Sequence, residues 1–145
     1  MSALRCAPGA HRALALRDWI LGYSVAWLAP AGVGLILAGL YGVMALLTPG
    51  PGWVALHFAS YMLATALVIS PAFSWIGLAL SLPLVIWLMG RGRFGWLSAL
   101  ACGLLTGEVA AAIMGGLGSF VAGGFGMMAA LTLWAVLWLR RPDLF

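Results

Sequence analysis

From Trp19 through Gly90 the chain carries no Asp, Glu, Lys or Arg. This uncharged stretch constrains the fold more than any other feature. Roughly 20 apolar residues in helical form cross about 30 Å of hydrocarbon. A soluble chain of 145 residues has too high a surface-to-volume ratio to hide so much apolar surface. Only 7% of the residues are charged and 65% are hydrophobic, against about 25% charged in a soluble domain. No strand-like alternation is sustained anywhere, which argues against a barrel. The expected class is an all-α integral membrane protein, with residues 1–145 forming a single transmembrane helical bundle.

The first expected span covers about 19–47, with Pro30 interrupting it. "TPGPG" at 48–52 then ends any helix, because two prolines and two glycines in five residues favour a turn. The last two spans are expected at 94–114 and 117–139, joined by "GGLG". Residues 53–89 admit two readings. As one helix they would reach about 55 Å, too long for one span and short for two with a loop. They could form two short spans turning near "SPAFS", or a short interfacial helix over about 53–62 followed by a kinked span over about 63–89.

Arginine placement separates the two. All seven basic residues are arginines: Arg5, Arg12, Arg17, Arg91, Arg93, Arg140 and Arg141. Four spans with the N-terminus inside put all seven in the cytoplasm; five spans divide them between the sides. The positive-inside rule favours four spans, with N and C termini cytoplasmic and the interfacial helix after the first span. Trp19, Trp53, Trp87, Trp96 and Trp138 fall near the expected span ends, where indole rings favour the headgroup region. The first apolar run is too long for a signal-peptide core and no clear cleavage site follows it. The expected location is a bacterial cytoplasmic (inner) membrane, with the lipid bilayer as the first partner.

Chemistry is sparse. Absence of lysine excludes a Schiff-base pigment, a lysine nucleophile and a Walker-type phosphate loop. Arginines at span ends follow membrane topology and not a nucleic-acid surface, so no nucleic-acid partner is expected. Cys6 and Cys102 are expected at different depths and do not form a disulfide framework. There is no HExxH, no CxxC and no paired histidine cluster. A Ser–His–acid triad could be written from Ser60 or Ser70 with His57 and Glu108, but no spacing singles it out. No catalytic residue, no metal ligand and no cofactor is therefore assigned.

Two patterns remain. Small residues recur every fourth position: Gly34, Ala38 and Gly42 in the first span; Ala99, Gly103, Gly107, Ala111 and Gly115 in the third; Gly118, Ala122, Gly126 and Ala130 in the fourth. Residues four apart share a helix face, and small ones let backbones approach closely in lipid. The third and fourth spans are expected to pack as a hairpin through these ladders, or to offer one ladder to another subunit. The second pattern is Glu108, one of only three acids, inside the third span. An acid at a span centre costs on the order of 3 kcal/mol on insertion scales, so it is a functional candidate by default. His57 and Tyr61 follow the "TPGPG" turn at similar expected depth and are its candidate partners.

The expected function is a non-enzymatic accessory or assembly subunit of a larger membrane complex, given short loops, extensive small-residue faces and little catalytic chemistry. The alternative is a small oligomeric proton- or cation-coupled transporter or channel using Glu108. A membrane enzyme is the weakest reading, because no catalytic set converges. The expected protein partners are other membrane subunits or further copies of the chain.

Overall fold

The structure, a computed structural model, describes residues 4–48, 50–115 and 119–145. The described residues contain helices and turns and no strand. In chain order they are α1 (Ala10–Ala13), α2 (Leu16–Leu47), a 3-10 turn (Pro51–Trp53), α3 (Val54–Ile69), α4 (Pro71–Gly90), α5 (Trp96–Ile113), α6 (Ser119–Arg140) and a final 3-10 turn (Pro142–Leu144). Four helices are long and apolar enough to cross a membrane: α2, α4, α5 and α6 from Val121 onward.

Proline decides where two of these helices begin and pass. Pro30 lies inside α2, which continues through it to 32 residues, about 48 Å. Proline has no N–H to give the carbonyl of Ala26, a loss that membrane helices tolerate when neighbouring elements pack over it. Pro30 does not end the helix, and both Ala26 and Pro30 are buried. Pro71 acts differently. It stands at the first position of α4, where its missing N–H is not needed. The Ser70 N–H turns back to the Leu67 carbonyl at 3.2 Å and closes α3. The apolar segment expected to divide near residue 62 is therefore divided at Ser70, leaving a 16-residue α3 and a 20-residue α4.

The N-terminus of α5 is capped by its own third residue. The Ser98 hydroxyl accepts the Gly95 N–H at 2.7 Å and donates to the Gly95 carbonyl at 2.9 Å. This satisfies one of the free amide donors that every helix start exposes.

The buried stripe of α2 is Asp18, Gly22, Ala26, Pro30 and Gly34, one residue per turn on a single face. At Gly22 that stripe meets Leu133 and Leu137 of α6; at Gly34 it meets Ala64, Leu67 and Val68 of α3. Tyr23 reaches Ser81 of α4 at 3.4 Å, and the Trp27 indole N–H donates to the Pro71 carbonyl at 2.8 Å. So α3 and α4 succeed one another along α2, α3 beside its C-terminal half and α4 beside its N-terminal half. From Leu35 to Leu63 no described residue is buried.

All seven arginines gather at the opposite end. Backbone bonds tie Cys6 N–H to the Gly92 carbonyl at 3.1 Å, Gly9 N–H to Met89 at 3.0 Å and Ala7 N–H to Leu144 at 2.7 Å. They join the N-terminal segment, the α4–α5 turn and the C-terminus. Gly92 has φ +67°, and a Cβ there would lie 3.1 Å from the Cys6 carbonyl oxygen, so this junction requires glycine. Arg140 crosses to the buried Asp18, with Nε at 3.2 Å and Nη2 at 3.1 Å from one carboxylate oxygen. Arg141 donates to the Ala13 carbonyl at 3.1 Å and pairs with Asp143 at 3.0 Å. The core sits behind this end, where Leu14, Val85, Met89, Phe94, Leu133 and Leu137 are buried together.

Candidate functional site

The closest helix contact is between α5 and α6, and glycine makes it possible. A Cβ on Gly103 would collide with the Gly126 carbonyl, and one on Gly126 with the Gly103 carbonyl. One turn further, a Cβ on Gly107 would lie 2.5 Å from the Ala122 carbonyl oxygen. Ala130 stands beside Gly103, and Ala99 is fully buried. Backbones this close gain dispersion contact over many atoms, which holds helices together where the solvent is itself apolar. Ala111 is half-buried on α5. Gly115 lies past the end of the helix in a turn at φ +84°, so it extends no helix face. Gly118 lies outside the described residues. In α2 only Gly34 of the small-residue series meets a neighbouring helix; Gly42 has no atom within 4 Å of a Cβ position, and Ala38 is exposed.

Glu108 lies one residue beyond Gly107 on α5. Its carboxylate covers the notch left by Gly123 of α6: a Cβ on Gly123 would lie 2.6 Å from Glu108 Oε1. The residue is half-buried. Among the described residues it makes no hydrogen bond or ion pair. The arrangement leaves both carboxylate oxygens free to accept a proton, a cation or a donor from another chain.

The structure does not bring Glu108 and His57 together. His57 stands on α3 beside α2, where its Nε2 is 3.0 Å from Thr48 Oγ1. The Thr48 hydroxyl also reaches the Met44 carbonyl at 2.7 Å. Tyr41 meets the His57 ring edge-on at 5.9 Å, and Tyr61 tilts against Tyr41 at 6.0 Å. Thr48, His57, Tyr41 and Tyr61 therefore form a polar and aromatic cluster at the α2–α3 end of the molecule. Glu108 belongs to the α5–α6 hairpin instead. Nor do Ser70, His57 and Glu108 converge into a triad, since Ser70 is buried at the start of α4 and makes no side-chain hydrogen bond. Among the described residues no three His, Cys, Asp or Glu side chains come together in a way that could hold a metal ion.

Sequence reasoning missed three features. Asp18 and Arg140 are 122 positions apart, but each stands in the terminal turn of its helix that favours its charge: an acid at the start of α2 and a base at the end of α6. Tyr41, which touches both His57 and Tyr61, follows the α2 face by its spacing from Thr48. Ser70 and Ser74 stand four apart in an apolar segment, a spacing that places both hydroxyls on one face.

No protein-family model, curated protein or solved structure matches the chain.

Proposed function

We propose that this chain is a non-enzymatic accessory or assembly subunit of a larger membrane complex in a bacterial cytoplasmic membrane. The observation that carries the proposal is the bare α2–α3 hairpin, in which no described residue from Leu35 to Leu63 is buried. α2 has 32 residues and α5 has 18, about 48 Å against about 27 Å of helix. The α5 length matches a hydrocarbon layer of roughly 30 Å and the α2 length exceeds it. The excess of α2, with α3 along it, presents Leu40, Leu46, Leu47, Leu56 and Phe58 as exposed apolar surface. A neighbouring protein is the natural cover for the part that extends past the lipid tails. The seven arginines at the other end support a cytoplasmic position for both termini. That orientation places α3 toward the outer interface, ahead of the span formed by α4.

One observation favours a second reading, a small oligomeric proton- or cation-coupled transporter or channel. Glu108 is half-buried in an otherwise uncharged stretch of α5 and has no hydrogen-bond partner among the described residues. A pathway at Glu108 would need further copies of the chain around it, because α5 and α6 are already in backbone contact there.

Purification of the tagged chain from native membranes in mild detergent separates the readings. The accessory role predicts other membrane subunits in fixed ratio to the chain, with Glu108→Gln leaving that ratio unchanged. A homo-oligomer free of other subunits, with ion flux in vesicles abolished by Glu108→Gln, would establish transport instead.

A further inference from the structure

A groove of about 590 Å³ runs between the N-terminal half of α2 and α4. It begins between Leu16 and Ile86 and reaches Trp27 and Trp75. On both helices these ends are 11 positions apart, about 16 Å of helix. That is the depth of one leaflet, half of a hydrocarbon layer of roughly 30 Å. At the deep end the Trp27 indole N–H joins the two helices through the Pro71 carbonyl at 2.8 Å. No lining residue is charged, and the Tyr23 hydroxyl is engaged with Ser81. Trp75 and Leu82 stand exposed along the groove, so in a membrane its open side faces lipid.

The shallow end of the groove lies at the arginine end of the molecule. There α1 runs from the end of α4 to the start of α2: a Cβ on Gly90 would lie 3.6 Å from the His11 ring, and two residues separate α1 from α2. Arg12 follows His11, and Arg17 follows Leu16. Both are exposed, and among the described residues neither side chain makes a hydrogen bond or ion pair. The two acids at this end, Asp18 and Asp143, are already taken by Arg140 and Arg141. Uncompensated cations at the mouth of an apolar groove one leaflet deep match an anion that carries an acyl chain. A transmembrane helix of a partner would run through both leaflets, whereas the groove stops at Trp27 and Trp75.

We infer that this groove binds one anionic phospholipid of the leaflet at the arginine end. An acyl chain lies between α2 and α4, and the phosphate sits at the mouth between Arg12 and Arg17. The guanidinium fork matches the phosphate oxygens. A headgroup without a cation of its own, such as glycerol, leaves that phosphate to the arginines. An ethanolamine headgroup brings a competing ammonium and binds less well. The inference holds under either reading of the function, since it uses neither Glu108 nor the α2–α3 hairpin.

The test offers the full chain, purified in mild detergent, equal amounts of dioleoyl-phosphatidylglycerol and dioleoyl-phosphatidylethanolamine. Native mass spectrometry counts the lipids retained. The acyl chains are identical, so any preference reads the headgroup. One phosphatidylglycerol per chain is expected, favoured by about tenfold, the order that two arginines supply toward an anionic headgroup. Arg12→Gln with Arg17→Gln should abolish the preference. Ala79→Phe fills the groove from an exposed position of α4; in protein that elutes as the wild type does, it should abolish retention with every arginine in place. Three results overturn the inference: the wild type retains both lipids equally or neither, the double arginine variant keeps the preference, or Ala79→Phe retains phosphatidylglycerol as the wild type does.

Discussion

Replacing Gly103 with alanine adds one methyl group at the place where α5 and α6 touch. A Cβ there would meet the Gly126 carbonyl at a distance that real side chains do not reach, and the Ala130 methyl at 2.8 Å. The obstacle on α6 is backbone, which cannot rotate away, so the helices must separate along their contact. Overpacking of this kind costs about 1–3 kcal/mol, and it acts against a helix-propensity gain of about 1 kcal/mol for glycine to alanine. Gly124 supplies the control. It lies on the same α6, two residues before Gly126, with no atom within 4 Å of its Cβ position, so Gly124→Ala keeps the propensity gain without the collision. The propensity gain is common to both, so the two variants should differ by the overpacking cost, about 1–3 kcal/mol. In a chain of this size about 2–4 °C of melting temperature accompanies each kcal/mol, so midpoints should differ by roughly 2–12 °C. Heating in detergent followed by size-exclusion chromatography of the surviving fraction measures this. Equal midpoints for Gly103→Ala and Gly124→Ala would refute the close-contact reasoning.

Three other outcomes follow from the same structure. Asp18→Asn should lower stability by about 1–2 kcal/mol, a charge-assisted bond discounted because the Arg140 side chain is 41% exposed; in an Arg140→Gln background the same change should cost much less. Burial pushes the Cys6 thiol above its ordinary value, which favours the unreactive protonated form. With Cys102 replaced by alanine, alkylation at pH 8 should be slower than for a free cysteine and still be rising past pH 9, whereas a plateau below pH 9 would contradict the burial effect. In a chain without its native cysteines, Gly50→Cys should label only from outside intact cells and Gly90→Cys only after the membrane is opened. Labelling of both from one side would place the two ends of α4 and the α2–α3 turn in a different topology.

The sequence carries the architecture well because membrane burial is written in long runs. Four apolar stretches and arginines at their ends are properties of local composition, and the structure has four helices of that kind with the arginines at one end. The Ser70 break was harder to read. Pro30, Pro71 and Pro83 look alike in sequence, and only packing decides which one starts a helix. The candidate site was less legible still. Glu108 is conspicuous by its charge, but its seat over Gly123 depends on the angle at which α5 crosses α6. His57 shares an expected depth with Glu108, yet depth says nothing about which side of the bundle a residue occupies.

The accessory role depends most on what covers the α2–α3 hairpin. Phe58 and Leu46 are 61% and 82% exposed on that hairpin, and Leu139 is 70% exposed at the arginine end. A photo-crosslinking p-benzoylphenylalanine placed at each position in turn, and irradiated in native membranes, reports what touches it. Adducts with one distinct membrane protein at positions 46 and 58, and none at 139, are the predicted result. Adducts only with further copies of the chain, or no protein adduct from either hairpin position, would contradict the account.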